Sequence, residues 1–181
     1  MARNGMERSS LLFRFRAAML LFIVGLVLSG ITAFPLLQEL RMISRLLGVG
    51  VVSSGMDSPG LAAWIHTVQR GLEDTAAHYS WMAYGTDWLA FGHLIIAMFF
   101  VAPLVNPLSA RPNIYAGLVA CAGVFPLALI CGAIRGVPLP WRFVDCTFGL
   151  IGALPLLYCV HQLRKLEAEN AHFRPRINLE S

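Results

Sequence analysis

Four long apolar stretches dominate this sequence of 181 residues: 17–34, 88–105, 114–134 and 143–161. Each is close to the roughly 20 apolar residues with which an α-helix crosses the hydrocarbon core of a bilayer. Hydrophobic residues make up 57% of the chain and charged residues only 13%, a balance that is unusual for a soluble domain. The sequence therefore predicts an all-α integral membrane protein, a single membrane domain of residues 1–181. Its four transmembrane helices, at about 14–35, 86–105, 113–134 and 142–163, are expected to form one bundle.

The basic residues are distributed unevenly around these helices. Nine of the 14 lysines and arginines fall on the side of the bundle that holds both termini, and five fall on the other side. Cytoplasmic segments of membrane proteins carry such an excess. We therefore expect a multi-pass protein of the cell membrane, either a plasma membrane or a bacterial inner membrane, with both termini cytoplasmic. The net charge of +4 is explained by this topology, and nothing about it indicates nucleic acid as a partner.

The N-terminus also resembles a secretory signal peptide, because a basic start is followed by an apolar run that ends at Ala33. The run is longer than the roughly 7 to 15 apolar residues of such a peptide. Ile31 is also a poor residue three positions before a cleavage after Ala33. We expect the first helix to be retained, whereas cleavage would leave three.

The segment 36–85, between the first two transmembrane helices, is expected to lie outside the cytoplasm. Residues 36–47 carry leucine and isoleucine at helical spacing. A second such run extends from Ser58 and Pro59, a favourable cap and first helical position, to about Ser80. The sequence therefore predicts one or two short amphipathic helices in this first extracytoplasmic loop, lying on the membrane surface. Residues 164–181 are expected to form a cytoplasmic tail.

Small residues recur at helical spacing within the transmembrane helices. They include Gly25 and Gly30 in the first helix, Gly117 and Cys121 in the third, and Gly149 and Gly152 in the fourth. Such residues let membrane helices approach closely, so these stripes predict helix contacts. Pro126 and Pro155 lie near the middle of the third and fourth helices and predict a kink in each.

Five ionisable residues are expected to meet in the outer half of the bundle: Asp87, His93, Arg135, Arg142 and Asp145. Asp87 suits the positively polarised start of the second helix, and His93 follows about 9 Å deeper. Ionisable side chains inside a membrane are costly and are commonly functional. This outer-leaflet polar cluster is therefore the candidate site. Its structural interpretation is an ion pair between Asp145 and Arg135 or Arg142.

Metal or haem chemistry at this cluster is a weaker alternative. His93, Cys131 and Cys146 are residue types that bind transition metals, but no CxxC or HExxH spacing supports a site. Haem would need a second axial histidine at similar depth, which only His66 or His78 could supply. Cys131 and Cys146 could form a disulfide or remain free thiols. The cofactor is therefore unknown, with haem and metal as open alternatives.

Three functions are compatible with these features. The first is a non-catalytic accessory or assembly subunit of a membrane complex, since the sequence holds no phosphate-binding glycine loop and no GxSxG motif. The alternative is a membrane-embedded redox or metal- or haem-binding enzyme that uses His93, Asp145 and Arg135. The third is an oligomeric transporter of small solutes, which the apolar inner half of the bundle disfavours. The expected partners are the lipid bilayer and either other membrane subunits or further copies of the chain. No catalytic residue can be assigned.

Overall fold

The computed structural model describes residues 2–46 and 61–173, and the regular structure in this part of the chain is entirely helical. Its α-helices are α1 (Ala2–Ala33), α2 (Leu36–Leu46), α3 (Leu61–His78), α4 (Tyr84–Phe99), α5 (Val101–Val105), α6 (Arg111–Pro126), α7 (Gly132–Ile134) and α8 (Leu139–Phe173). Two 3-10 helices, Ser80–Ala83 and Pro107–Ser109, and a π-helix, Leu127–Cys131, connect them. The predicted all-helical fold is confirmed. The middle of the predicted outer loop and the end of the predicted tail lie outside the described residues.

Four helical stretches are long and apolar enough to cross a membrane. We refer to them as span 1 (Met6–Ala33), span 2 (Ser80–Val105), span 3 (Arg111–Ile134) and span 4 (Leu139–Glu169). They correspond to the four predicted helices. The first and the last of these helices are longer than expected, since α1 begins at Ala2 and α8 continues to Phe173. Polar residues extend both helices beyond the apolar stretches on which the prediction relied.

Each pair of neighbouring spans in the bundle is antiparallel. Span 1 packs against span 2 on one side and span 4 on the other, and span 3 packs against span 4. One end of the bundle carries the start of α1 and the last turns of α8, and we call it the terminal end. The opposite end, which carries α2, α3 and the turn between α7 and α8, is the loop end.

Span 2 is divided near the terminal end, where a single predicted helix becomes α4 and α5. Pro103 has no N–H to donate to the carbonyl of Phe99, and its ring crowds that carbonyl. Phe100 accordingly forms a turn between the two helices. The freed oxygen of Phe99 accepts a hydrogen bond from Nδ2 of Asn113 in span 3, at 2.9 Å. A side chain of the neighbouring span therefore replaces the helical donor that the proline lacks.

The other two prolines inside the spans have different consequences. At Pro126 the α-helix α6 passes directly into the π-helix of span 3, a change of helix type, and the kink predicted at this residue stays a prediction. Span 4 continues as one helix through Pro155. A proline within a membrane helix is tolerated where neighbouring helices or local adjustments satisfy the freed carbonyl.

The close contacts predicted for the small residues are confirmed at Gly30, Gly117 and Gly149, whereas the prediction is wrong at Gly25, where no atom lies within 4 Å of an added Cβ. A Cβ placed on Gly149 would lie 2.6 Å from the backbone oxygen of Cys121, and one placed on Gly30 would lie 2.9 Å from the oxygen of Ala90. Gly117 lies equally close to the side chains of Phe100 and Leu156. Glycine is thus required where span 1 meets span 2 and where span 3 meets span 4.

The best-buried part of the bundle lies toward the terminal end. Its fully buried side chains include Phe15, Met19, Ile114, Leu156 and Cys159. The rings of Phe22 and Phe100 meet edge to face with their centroids 4.8 Å apart, and the thiol of Cys159 donates a long hydrogen bond of 3.6 Å to the oxygen of Phe15. Spans 1, 2 and 4 are therefore joined most tightly at this end, away from the predicted polar cluster.

Candidate functional site

The predicted outer-leaflet cluster is distributed over two places at the loop end. Asp87 and His93 belong to span 2, whose extensive packing is with span 1, whereas Arg142 and Asp145 belong to span 4, which packs with spans 1 and 3. Among the residues that the structure describes, no hydrogen bond or ion pair joins the first group to the second. Span 1 separates the two groups because it lies between spans 2 and 4.

Asp87 and His93 occupy the first three turns of α4. The 3-10 helix Ser80–Ala83 runs directly into α4, and no side chain caps the junction. The capping expected of Thr86 or Asp87 is therefore absent, and the Thr86 hydroxyl instead donates to the oxygen of Ala83 at 2.6 Å. Nδ1 of His93 lies 2.8 Å from the oxygen of Leu89 in the same helix. Since a carbonyl only accepts, Nδ1 is the donor of this hydrogen bond.

The side chain of Arg142 contacts span 3. Its Nη1 donates to the oxygen of Leu129, within the π-helix, at 3.3 Å. Its aliphatic stem lies over Gly132, where an added Cβ would be 2.9 Å from Cγ and Cδ of Arg142. Nε is buried without a partner. The guanidinium therefore links span 4 to the irregular segment of span 3. Arginine suits this role in a helical bundle whose backbone carbonyls must be satisfied internally.

Asp145 forms no ion pair among the described residues, so the expected pairing with Arg135 or Arg142 is not formed. Its side chain is half-buried, and Arg135 is exposed. Arg135 precedes Gly136, whose φ of 72° is the left-handed conformation that closes a helix. The N–H groups of Gly136 and Val137 bond the oxygens of Ala133 and Gly132, the hydrogen-bond pattern of a Schellman motif. The turn thus ends the helix directly after Arg135.

The register of the helices nevertheless places His93 and Asp145 at one depth. His93 packs beside Gly30 of span 1. Along the antiparallel pair of spans 1 and 4, Phe22 meets Gly152 and the oxygen of Phe15 meets Cys159. Continuing this register sets Asp145 level with Ser29, one residue from Gly30. His93 and Asp145 therefore lie at the same level along span 1, on the two spans that pack against it.

The described residues bring no three histidine, cysteine, aspartate or glutamate side chains together as a metal site would require. Two of the weaker metal candidates differ in their surroundings. Cys131 is an exposed free thiol of the π-helix, and Cys146 is a buried free thiol of span 4. His78, one of the two histidines considered as a second haem ligand, bonds Asp74 within α3 at 3.0 Å. The other, His66, is half-buried in the same helix.

A second polar feature of the loop end, which the sequence did not reveal, is the ion pair between α2 and α3. Nε of Arg41 donates to Oε1 of Glu73 at 2.9 Å, and Nε2 of Gln69 donates to the same oxygen at 3.2 Å. The hydrogen bond from Arg41, and to a smaller extent that from Gln69, lowers the pKa of Glu73. The carboxylate is therefore charged at neutral pH. We call α2 and α3, so joined, the outer hairpin.

The outer hairpin has both buried and exposed apolar residues. Ile65 is buried, whereas Met42, Ile43 and Leu46 of α2 are exposed. The extensive contacts of α2 are with α3, and α2 has only a small contact with span 1. The hairpin is thus attached to the bundle mainly through the chain connections at its two ends, and part of its apolar surface has no partner within the described chain.

The terminal end carries a further charge pair that sequence reasoning missed. Nε of Arg111 donates to Oε1 of Glu167 at 2.7 Å, and Nη2 of Arg111 is hydrogen-bonded to Oε2. Beside this pair, a shallow groove between spans 3 and 4 is lined by Arg111, Ile114, Tyr115, Val160, Leu163 and Arg164. The enclosed volume is about 10 Å³, which is about one water probe. Two arginines therefore border one small depression.

Comparison with protein-family models, curated proteins and solved structures finds no match to this chain. Four places in the described part of the chain therefore bear on function: the two halves of the polar cluster, the outer hairpin and the terminal-end groove.

Proposed function

We propose that this chain is a multi-pass protein of the cell membrane, either a plasma membrane or a bacterial inner membrane, with both termini in the cytoplasm. We propose further that it acts as a non-catalytic accessory or assembly subunit of a membrane complex. The observation that carries the second proposal is the outer hairpin, a pair of helices held together by its own ion pair and presenting unpartnered apolar side chains.

The membrane topology is supported by the four apolar spans and by the distribution of charge. The terminal end carries Arg14, Arg16, Arg111, Arg164 and Lys165 among its basic residues. An excess of lysine and arginine marks the cytoplasmic side of membrane proteins. The terminal end is therefore assigned to the cytoplasm and the loop end, with the outer hairpin, to the opposite side.

Cysteine labelling tests this topology at two matched positions. Ser80 and Ser109 are both exposed and both lie in 3-10 helices, one at each end of span 2. In intact cells, a membrane-impermeant maleimide should label Ser80→Cys and should reach Ser109→Cys only after permeabilisation. The unsubstituted protein controls for its four native thiols. The reverse pattern would invert the topology, and equal labelling in intact cells would contradict a location across a membrane.

The accessory role is supported by the form of the outer hairpin. Exposed methionine, isoleucine and leucine on a short helix suit contact with another apolar surface. The Arg41–Glu73 pair fixes the orientation of α2 relative to α3, so the two helices present one surface and not two independent ones. A membrane subunit that meets this surface at the outer leaflet is the partner that the proposal requires.

A charge-exchange series tests whether the hairpin binds such a partner. The full-length protein is cross-linked mildly in its native membrane and purified, and co-purifying proteins are quantified by mass spectrometry. Recovery of a defined partner should fall about two- to fivefold in Arg41→Glu and in Glu73→Arg, because an exposed ion pair makes only a modest contribution to stability. Recovery should return in the double exchange, which restores the pair with reversed direction.

Arg45→Glu is the matched control for this series, because Arg45 is exposed on the same helix and takes part in no ion pair among the described residues. Its recovery should stay near that of the unsubstituted protein. The accessory role would be rejected if no protein co-purified above background, or if all five forms recovered the same amount.

A second candidate function, a membrane-embedded redox or metal- or haem-binding enzyme, is favoured by one observation. Among the described residues Asp145 forms no ion pair, and the register of the spans sets it level with His93. Ionisable groups in such positions are commonly functional. An absorption spectrum with metal analysis of the gently solubilised protein separates the candidates: a Soret band or a stoichiometric metal favours the enzyme.

A further inference from the structure

The terminal-end groove combines a cationic rim with an apolar floor. Arg111 and Arg164 face each other across it from spans 3 and 4, and Ile114 and Leu163 form its buried base. Glu167 takes up part of the charge of Arg111 through two hydrogen bonds. Arg164 is exposed and forms no ion pair within the described residues. The rim therefore keeps one net positive charge, which an anion can neutralise.

The surface next to the groove is apolar and continues along both spans. On span 3, Tyr115 is followed one turn further by Val119, which is 72% exposed, and on span 4, Val160 is preceded by Leu157, which is 54% exposed. Residues four or three apart lie on one face of a helix. The groove therefore opens from its arginines onto two adjoining apolar stripes directed toward the middle of the bilayer.

We propose that this groove binds the phosphate-bearing headgroup of an anionic phospholipid, with the acyl chains along the stripes of Val119 and Leu157. Arg164 supplies the unpaired cation, Arg111 supplies the remaining N–H donors of its guanidinium, and the Tyr115 hydroxyl lies at the headgroup level. Arginine and tyrosine are the side chains that suit this depth of a membrane. The inference depends on the proposed membrane location but not on the accessory role.

A lipid accounts for the groove better than a free anion does. A soluble phosphate would contact only the rim, and the exposed apolar stripes beside it would have no part in binding. A phospholipid covers both, since its phosphate meets the arginines where its chains meet valine and leucine. On the assigned topology the groove also faces the cytoplasmic leaflet, where anionic lipids attract basic residues by about 1 kcal/mol for each lysine or arginine.

The test compares two neighbouring basic residues. Arg164 lines the groove, whereas the adjacent Lys165 is exposed and does not line it. The full-length protein is purified in detergent, offered dioleoyl phosphatidylglycerol or dioleoyl phosphatidylcholine at equal low concentration, and analysed by native mass spectrometry. Dilute lipid in micelles avoids the surface potential of a charged bilayer.

The unsubstituted protein should retain the anionic lipid in clear excess over the zwitterionic one. Arg164→Gln should lower retention of the anionic lipid by at least about fivefold, because it removes a charge-assisted contact to the phosphate. Lys165→Gln, with the same change of charge, should lower it by less than about twofold. Arg164→Lys, which keeps the charge, should retain more of the anionic lipid than Arg164→Gln, and thermal unfolding checks that all variants are folded.

Three results would overturn the proposal. They are equal losses in Arg164→Gln and Lys165→Gln, no preference for the anionic lipid, and full displacement of that lipid by an equal concentration of inorganic phosphate, which would indicate an anion site without a lipid. If the proposed membrane location is wrong, the result is different: the protein is then recovered from the soluble fraction without detergent.

Discussion

Replacing Phe100 by alanine is expected to destabilise the bundle more than any other single truncation in span 2. Phe100 is 5% exposed, its ring meets that of Phe22 edge to face, and the same ring lies against Gly117. It therefore joins spans 1, 2 and 3. Removing a buried phenyl ring costs about 3 to 5 kcal/mol in soluble cores. We expect the lower part of that range, about 3 kcal/mol, because helices separated in lipid remain in apolar surroundings and lose only packing.

The measurement is thermal unfolding in a mild detergent, where about 3 kcal/mol should lower the midpoint by about 6 to 12 °C. Phe99→Ala is the matched control, since it removes the same group from the adjacent residue, which is 66% exposed. The backbone oxygen of Phe99, which binds Asn113, is unaffected by that change. The control should shift the midpoint by less than about 2 °C. Equal shifts in the two variants would show that the ring of Phe100 does not join the three spans.

The features that the sequence predicted correctly are those encoded within one helix. Apolar length identified all four spans, and small residues at helical spacing identified the contacts of Gly30, Gly117 and Gly149. The hydrogen bond of His93 to Leu89, four residues earlier in the same helix, is also local. It could have been anticipated, because a polar side chain in a membrane helix readily bonds the carbonyl one turn before it.

The features that the sequence did not reveal depend on which helices are neighbours and on their register. Arg142 bonds Leu129, and Arg111 pairs with Glu167 at a separation of 56 residues. The polar cluster was expected from depth alone, on the assumption that residues at one level of a bundle meet. Depth is fixed by position within a span, and the structure does place His93 and Asp145 level. Lateral proximity is not fixed by depth, and span 1 lies between them.

Arg142 also illustrates why charge complementarity alone is a poor guide inside a bundle. Asp145 follows it by three residues on the same helix, a spacing at which opposite charges can pair. The guanidinium is instead directed to the carbonyl of Leu129, over the space left by Gly132. An irregular segment of helix offers unsatisfied carbonyl groups, and a long arginine side chain can reach them in the neighbouring span.

Replacing Gly149 by alanine is expected to separate spans 3 and 4. The added methyl group would lie 2.6 Å from the backbone oxygen of Cys121 and 3.2 Å from side-chain atoms of Val124 and Phe125. Because a backbone oxygen cannot rotate away, the helices themselves must move. Overpacking of this kind costs about 1 to 3 kcal/mol, so the unfolding midpoint should fall by about 2 to 12 °C.

Two further glycine-to-alanine changes make this expectation specific. A Cβ added to Gly152 would lie 3.1 Å from Sγ of Cys121. Because this side-chain atom can move, Gly152→Ala should lower the midpoint less than Gly149→Ala. Gly25 has no atom within 4 Å of an added Cβ, and alanine is the better helix former by up to about 1 kcal/mol, so Gly25→Ala should leave the midpoint unchanged or raise it. The order of the three effects follows from contact distance alone. Equal midpoints for Gly149→Ala and Gly25→Ala would therefore mean that spans 3 and 4 do not meet at Gly149, and the register that connects Arg142 to Leu129 would have to change with them.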